Sequence, residues 1–401
     1  MLNTLIALYL IYLFIKLTLA VLDMRFVRAE SNKNAVVLEE SEYKNAALIK
    51  VANHKFEIIS SIFSFFVFLF WVNGGLKWLY NTIVKNDLIS ENIAFVMSFI
   101  IISAIFELPF GIYEKFVKDK KHGFSNMSAK IFIIDTLKEL VLTLVFGSAF
   151  VWLILFCIQS LGQFWWFWAF CISFVIILII NLIYPTIIAP MFNKVKPLED
   201  GELKTSIEGL LNGLGFKSSG VFVMDASKRD NRLNAYFGGL GATKRVVLFD
   251  TLIKKLSLDE IIAVLGHELG HFKHGDIFKM IAMSAVMMFL LFMIFGNIPS
   301  EFYEAVGLVQ SGSGVIVFML IFAPIFSLFF SPVISFISRR NEFGADEFGA
   351  KTKSKTDMIN ALKKLGSENK AFPKSHPLYA FVYHSHPSLF ERITKLENDD
   401  K

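Results

Sequence analysis

The sequence predicts an all-α integral membrane protein, with seven transmembrane helices and a polar domain divided between two stretches. Three observations predict it. The 401 residues are 54% hydrophobic and only 19% charged, with 44 phenylalanines and a mean hydropathy of +0.55. Seven runs are long and apolar enough to span a bilayer, which takes about 20 such residues. Lys and Arg crowd every second loop. A soluble fold of this size cannot hide that much apolar surface, and average soluble domains carry about 25% charge. Soluble, disordered and disulfide-stapled classes are thereby excluded. The net charge of +5 is read as loop asymmetry, and nucleic acid is not expected as a partner. Cys157 and Cys171 lie in apolar runs and read as small buried hydrophobes.

The spans fall at 2–22, 58–79, 93–112, 137–158, 164–188, 277–298 and 315–337. The first lacks a basic leader and a small-residue cleavage site, so it is kept as a span and not read as a signal peptide. The loop after it holds Arg25, Arg28, Lys33, Lys44, Lys50 and Lys55. The next is poor in cations, with Lys85. The third holds Lys115, Lys118, Lys120, Lys121 and Lys130. The fourth (159–163) and sixth (299–314) have none, whereas the fifth and the tail are basic. Lys/Arg excess marks the cytoplasmic face, so the N-terminus is expected outside and the tail inside. The expected organisation is five helices over 1–192, half of a catalytic domain over 193–276, two helices over 277–337, and the other half over 338–401. Glu107, costly in lipid, is expected to find a polar partner or face a chamber. The sequon at Asn126 is cytoplasmic by this topology and should be silent.

Ser257 and Glu260 have capping-box spacing, so a helix is expected to start there. On it, His267 and His271 stand i and i+4 and share a face. Two imidazoles so placed can bind one Zn²⁺ at about 2.0–2.1 Å. Glu268, beside the first, can reach a water activated by the metal and act as general base. Glu342 is the expected third ligand. His271 precedes the sixth span by six residues, and Glu342 follows the seventh by five. At 1.5 Å per helical residue, both stand about 8–9 Å beyond the same membrane face. Asp346, i+4 from Glu342, can accept the second N–H of a ligating histidine. The competing arrangement is an ion pair of these acids with Arg339 or Arg340. Three ligands and an open fourth position favour a catalytic over a structural zinc, and two histidines with one carboxylate suit zinc best.

With these residues in view, the sequence resembles the CAAX prenyl protease type 1 family of integral-membrane zinc endopeptidases. His267-Glu-Leu-Gly-His271 before a span and Glu342-x-x-x-Asp346 after the next carry the resemblance. So do Pro190-Met-Phe-Asn-Lys, Pro197-Leu-Glu-Asp-Gly-Glu-Leu203, Asn234-Ala-Tyr-Phe237 and His384-Ser-His-Pro-Ser-Leu-Phe-Glu-Arg392. The resemblance implies seven tilted helices forming a chambered barrel, capped by a zincin-like catalytic domain. It implies zinc on His267, His271 and Glu342, with Glu268 as base. It further implies His386 and Arg392 facing the site, His386 holding the oxyanion, and Asn234 binding substrate backbone as an edge strand does. Other roles stay open: Asn234 as a turn residue, and Arg392 as a structural partner of Glu391 or Asp346. His122, His274 and His384 are not expected to act. The partners implied are a peptide or protein substrate, prenylated in the family, and the lipid bilayer; the oligomeric state is left open. The tail lacks an endoplasmic-reticulum retrieval signal and the composition is rich in Ile, Lys, Phe and Asn. A bacterial inner membrane is therefore favoured, with the endoplasmic reticulum for a eukaryotic member. A quality-control protease like HtpX, acting on unprenylated chains, is the second reading, and a zinc-binding transporter the third.

Overall fold

The computed structural model describes residues 1–216, 218–239, 244–310 and 312–398. The chain runs α1 (Leu2–Glu30), α2 (Glu40–Ile83), α3 (Ile89–Lys121), α4 (Ala129–Ser160) and α5 (Gly162–Phe192). It then enters the polar part, with β1 (Val195–Pro197), α6 (Glu202–Gly213), β2 (Val221–Met224), β3 (Ala235–Gly238) and β4 (Arg245–Phe249). Next come α7 (Asp250–Lys255), α8 (Leu258–Lys273), α9 (Asp276–Gly296), α10 (Ser300–Ala305) and α11 (Gly312–Thr352). The chain closes with α12 (Lys355–Glu368), α13 (Pro377–Tyr383) and α14 (Leu389–Asn398). Among the described residues, seven helices are long and apolar enough to cross a membrane: α1 to α5, α9 and α11. Each coincides with an expected span.

Most of these helices outrun the bilayer. The 44 residues of α2 reach about 66 Å at 1.5 Å each, against a hydrocarbon core of about 30 Å. Their polar ends project and build the domain beyond the membrane. Breaks in the helices have local causes. In α2, Asn73 leaves helical geometry and Gly74 takes φ +130°, a value only glycine adopts cheaply. Pro109 lies inside α3, and Pro324 and Pro332 inside α11, each removing a backbone donor without ending the helix. Glu107 meets the expected polar partner, accepting from Ser64 Oγ at 3.0 Å.

The polar part adds a four-stranded sheet, ordered β1-β2-β4-β3, to an otherwise helical chain. β2 and β4 run parallel, and β3 is an antiparallel edge paired Ala235↔Leu248 to Gly238↔Arg245. Val246, Val247 and Leu248 are fully buried at its centre. Val246 and Leu248 share a core with Ile207, Leu211, Ile261, Leu265 and Leu269 of the helices. The period of apolar residues on α8 explains this, since positions 261, 265 and 269 recur every four residues on one face.

The basic segments gather on one side. Arg229 grips Asp135 with two bonds of 2.8 and 3.0 Å, and Arg232 reaches Asp119 at 3.2 Å. Lys374 pairs with Glu30 at 2.9 Å, and Ser367 donates to Glu42 at 2.5 Å. The first and third loops, the 193–276 stretch and the tail therefore share a face, as the charge alternation expects.

Candidate active site

α8 begins at Ser257. Its Oγ accepts from Glu260 N at 3.3 Å, and Glu260 Oε2 accepts from Ser257 N at 2.7 Å. This capping box satisfies two otherwise orphaned donors. Two turns on, α8 lies against α11 with almost no side chain between them. A Cβ on Gly349 would stand 2.9 Å from Ala263 O and 3.0 Å from His267 N. One on Gly270 would stand 3.0 Å from Ala345 Cα. These two glycines let the helix bearing the histidines meet the helix bearing the acids.

The contact brings three side chains together. One ligand atom from each of His267, His271 and Glu342 lies within 4.8 Å of the others. His267 Nε2 stands 3.5 Å from Glu342 Oε2, and His271 Nε2 stands 3.3 Å from Glu342 Oε1. Ligands at 2.0–2.1 Å around a tetrahedral ion are spaced about 3.3–3.4 Å apart, so both separations match. Glu342 Oε2 is buried without a hydrogen-bond partner, although His386 Nδ1 lies 2.8 Å away outside bonding geometry. An orphaned buried carboxylate oxygen between imidazoles is what a cation would satisfy. The donor set fits a metal of the zinc type.

Each histidine is held from behind. His267 Nδ1 faces Asp346 Oδ1 at 2.9 Å, as the i+4 spacing suggests. Arg392 in turn grips Asp346 through Nε at 2.8 Å and Nη2 at 2.5 Å. Arg392 thus supports the site through Asp346 while also lining the cavity beside His267, with Nη2 3.7 Å from Glu342 Oε2. The competing ion pair of these acids with Arg339 or Arg340 is not found among the described residues: Arg339 donates to the carbonyls of Ala380 and His384 at 2.6 and 2.8 Å. His271 Nδ1 faces Asp276 Oδ2 at 3.0 Å, and Lys279 holds the other oxygen at 2.7 Å. Sequence reasoning did not single out Asp276. A buried carboxylate at the mouth of a span, five residues past His271, was the available signal.

The local path of the chain differs from the expectation of a helix running straight into the span. α8 ends at Lys273, and Gly275 takes the left-handed φ of +68° before α9 starts. The break turns Asp276 back toward His271, which a continuous helix would not do. Glu342, by contrast, rides on the unbroken α11.

Two cavities meet at Glu268. One, of about 470 Å³, lies between α5, α9 and β3 and is walled by Phe174, Ile177, Leu178, Tyr236, Met280 and Ile281, with Glu268 and His271 at its end. The other, of about 380 Å³, is lined by Leu233, Asn234, His267, Glu268, Leu362 and His386. Desolvation pushes the Glu268 carboxyl above the usual carboxylate range, against the pull of His267 and His271. Burial works against charge on His271 as well, but its contacts with Glu342 and Asp276 prevail and push it up to about 9. Asn234 precedes the edge strand β3, and its carbonyl accepts from Phe249 N at 3.1 Å. His386 stands at the rim, its side chain 61% exposed. Of the eight residues expected here, the structure brings all into or directly behind one site.

Comparison with known proteins agrees with this geometry along the whole chain. Residues 24–194 match the family described as CAAX prenyl protease N-terminal, five membrane helices, and residues 197–400 match peptidase family M48. A CAAX prenyl protease 1 homolog of Dictyostelium discoideum is 34% identical over 371 residues, covering 90% of this chain and 86% of that one. The Saccharomyces cerevisiae CAAX prenyl protease 1 is 35% identical, covering 77% and 72%. The human CAAX prenyl protease 1 homolog is 33% identical, covering 77% and 74%. The crystal structure of S. mikatae Ste24p superposes with a TM-score of 0.91 at 29% identity, covering 98% of both chains. With these relatives the transporter reading is set aside. The chain belongs to peptidase family M48, in its CAAX prenyl protease group, and is a multi-pass membrane metalloendopeptidase.

Proposed function

We propose that this protein is a zinc endopeptidase that cleaves near the C-terminus of prenylated proteins on the cytoplasmic side of its membrane. The observation that carries the reading is the donor trio of His267, His271 and Glu342 with Glu268 beside it, where two cavities meet. His267, His271 and Glu342 would hold the zinc. When bound, zinc supplies a Lewis acid that acidifies water and polarises a carbonyl. Glu268 takes the proton of the attacking water and returns it to the leaving amine. His386 donates a hydrogen bond to the carbonyl oxygen as negative charge grows there; such a donor contributes about 10²–10³ in rate. The free edge of β3 and Asn234 bind the substrate backbone. Asp346, fixed by Arg392, and Asp276 hold the two imidazoles in the tautomer that turns Nε2 to the metal.

The relatives' printed names support a CAAX substrate, and the apolar wall of the larger cavity is compatible with a lipidated or aliphatic chain. The positive-inside pattern supports the cytoplasmic placement. Purified protein would be offered two peptides with one C-terminal Cys-aliphatic-aliphatic-X sequence, one farnesylated. Cleavage that depends on the lipid is the expected result. Equal cleavage of both would replace the prenyl-protease reading with a general membrane-protein endopeptidase.

A further inference from the structure

We propose that Asp23, on the first transmembrane helix, is a positioning residue for His386. The inference rests on the proposed role of His386 and extends it to a residue 363 positions away in sequence. Asp23 is fully buried. Its Oδ1 accepts from Ser375 Oγ at 2.7 Å and from His376 N at 2.6 Å. Its Oδ2 lies 2.7 Å from His54 Nε2 and 3.1 Å from Lys50 Nζ. Lys50 also donates to Lys374 O and Ser375 Oγ, each at 3.0 Å. A lone carboxylate in this position would be costly, and four partners on α2 and the loop before α13 balance it.

What Asp23 anchors is the start of a short strap, residues 374–384, that ends two residues before His386. The far end of the strap is fixed from α11. Arg339 holds the carbonyls of Ala380 and His384, and Ser335 donates to Val382 O at 3.1 Å. His384 Nε2 lies 3.4 Å from Ser375 Oγ, closing the strap on itself. Beyond His386, Arg392 pins the chain to Asp346. The ring of His386 is largely exposed, with its Nδ1 2.8 Å from Glu342 Oε2. Its position is therefore set by that contact and by the anchors on either side; those outside the catalytic helices and the tail lie on α1 and α2, where Asp23 and Lys50 hold residues 374–376, Glu30 pairs with Lys374 at 2.9 Å and Glu57 accepts from the Tyr379 hydroxyl at 3.4 Å. A hydrogen-bond donor misplaced by about 1 Å can cost about 10²-fold in rate.

A double-mutant cycle tests this on the full-length protein in detergent. Asp23→Asn should lower kcat about 10–100-fold, with KM and bound zinc unchanged. His386→Ala should lower kcat at least as far. In the His386→Ala background, adding Asp23→Asn should cost almost nothing, because the two act through one contact. Ser375→Ala, a milder cut in the same link, should give a smaller loss that also disappears in that background. Independently of activity, a spin label at Ser385→Cys, with Cys157 and Cys171 replaced, should become more mobile when Asp23→Asn is added. Full additivity in the cycle, or a label unchanged in mobility, would overturn the inference while leaving the role of His386 intact. Full activity of His386→Ala would overturn both.

Discussion

At the scale of the residue, the site depends on carboxylates that touch no substrate. Asp276 and Asp346 each face the Nδ1 of one imidazole, and such partners typically contribute 10–100-fold to metal affinity. Asp276→Asn should therefore raise the zinc dissociation constant about 10–100-fold, measured by chelator competition, while the folded protein retains its helix content. An unchanged dissociation constant would mean that His271 is oriented by Glu342 alone. His384 makes a different prediction. Burial, with Lys50 on α2 and Arg339 on α11 adding to it, pushes the imidazole down to about 4, against the opposing Asp23 on α1 and Glu391 on α14. The unfolded chain, titrating near 6.5, binds more protons than the folded one between pH 6.5 and 4. The stability this gives is fully present above pH 6.5 and is lost as pH falls toward 4. The unfolding temperature in detergent should drop by a few degrees between pH 7.5 and 5, and His384→Gln should flatten part of that slope.

At the scale of the element, the contact between α8 and α11 decides whether the ligands meet. Gly349→Ala places a methyl 2.9 Å from Ala263 O, so one helix must move. Overpacking of this kind costs about 1–3 kcal/mol, and here the displacement lies beside His267. The expected outcome is a lowered unfolding temperature together with weaker zinc binding. A variant as stable and as metal-tight as the wild type would show that the helices have slack. These elements also show what the sequence reveals. The capping box of α8, the i,i+4 histidines and the acids one turn beyond the seventh span were legible because each is a local pattern at fixed spacing. The break at Gly275 was missed, although a glycine just past the helical run, taking φ +68°, is the usual signal of a left-handed helix end. The Arg392–Asp346 grip was not legible, because it joins residues 46 positions apart and depends on α14 docking against α11. Arg392 entered through resemblance alone, with Glu391 and Asp346 both named as its candidate partners.

At the scale of the whole molecule, apolar run length located all seven spans, and charge alternation correctly grouped the loops that touch. It underestimated the helices, because hydropathy sees only the part in lipid. The four-stranded sheet was foreshadowed only by the edge-strand reading of Asn234. The lean toward a bacterial inner membrane, drawn from composition and the tail, finds no support in the relatives described above, which are eukaryotic. Topology is open to direct test. Cysteines placed at Lys120 and Glu397, both exposed, should react with an impermeant reagent from one side of sealed vesicles, and those at Lys85 and Glu301 from the other. Labelling of all four from one side would break the seven-span arrangement.

In the mechanism proposed above, one metal on His267, His271 and Glu342 and one base, Glu268, perform the cleavage. Metal content and peptide cleavage measured on the same preparations of wild type, Glu268→Gln and Glu342→Gln test it most directly. About one zinc per chain is expected in the wild type and in Glu268→Gln, with cleavage by the latter reduced about 10²–10⁴-fold. Loss of both metal and cleavage is expected in Glu342→Gln. Cleavage by Glu268→Gln at the wild-type rate, or a full complement of zinc in an active Glu342→Gln protein, would contradict this mechanism.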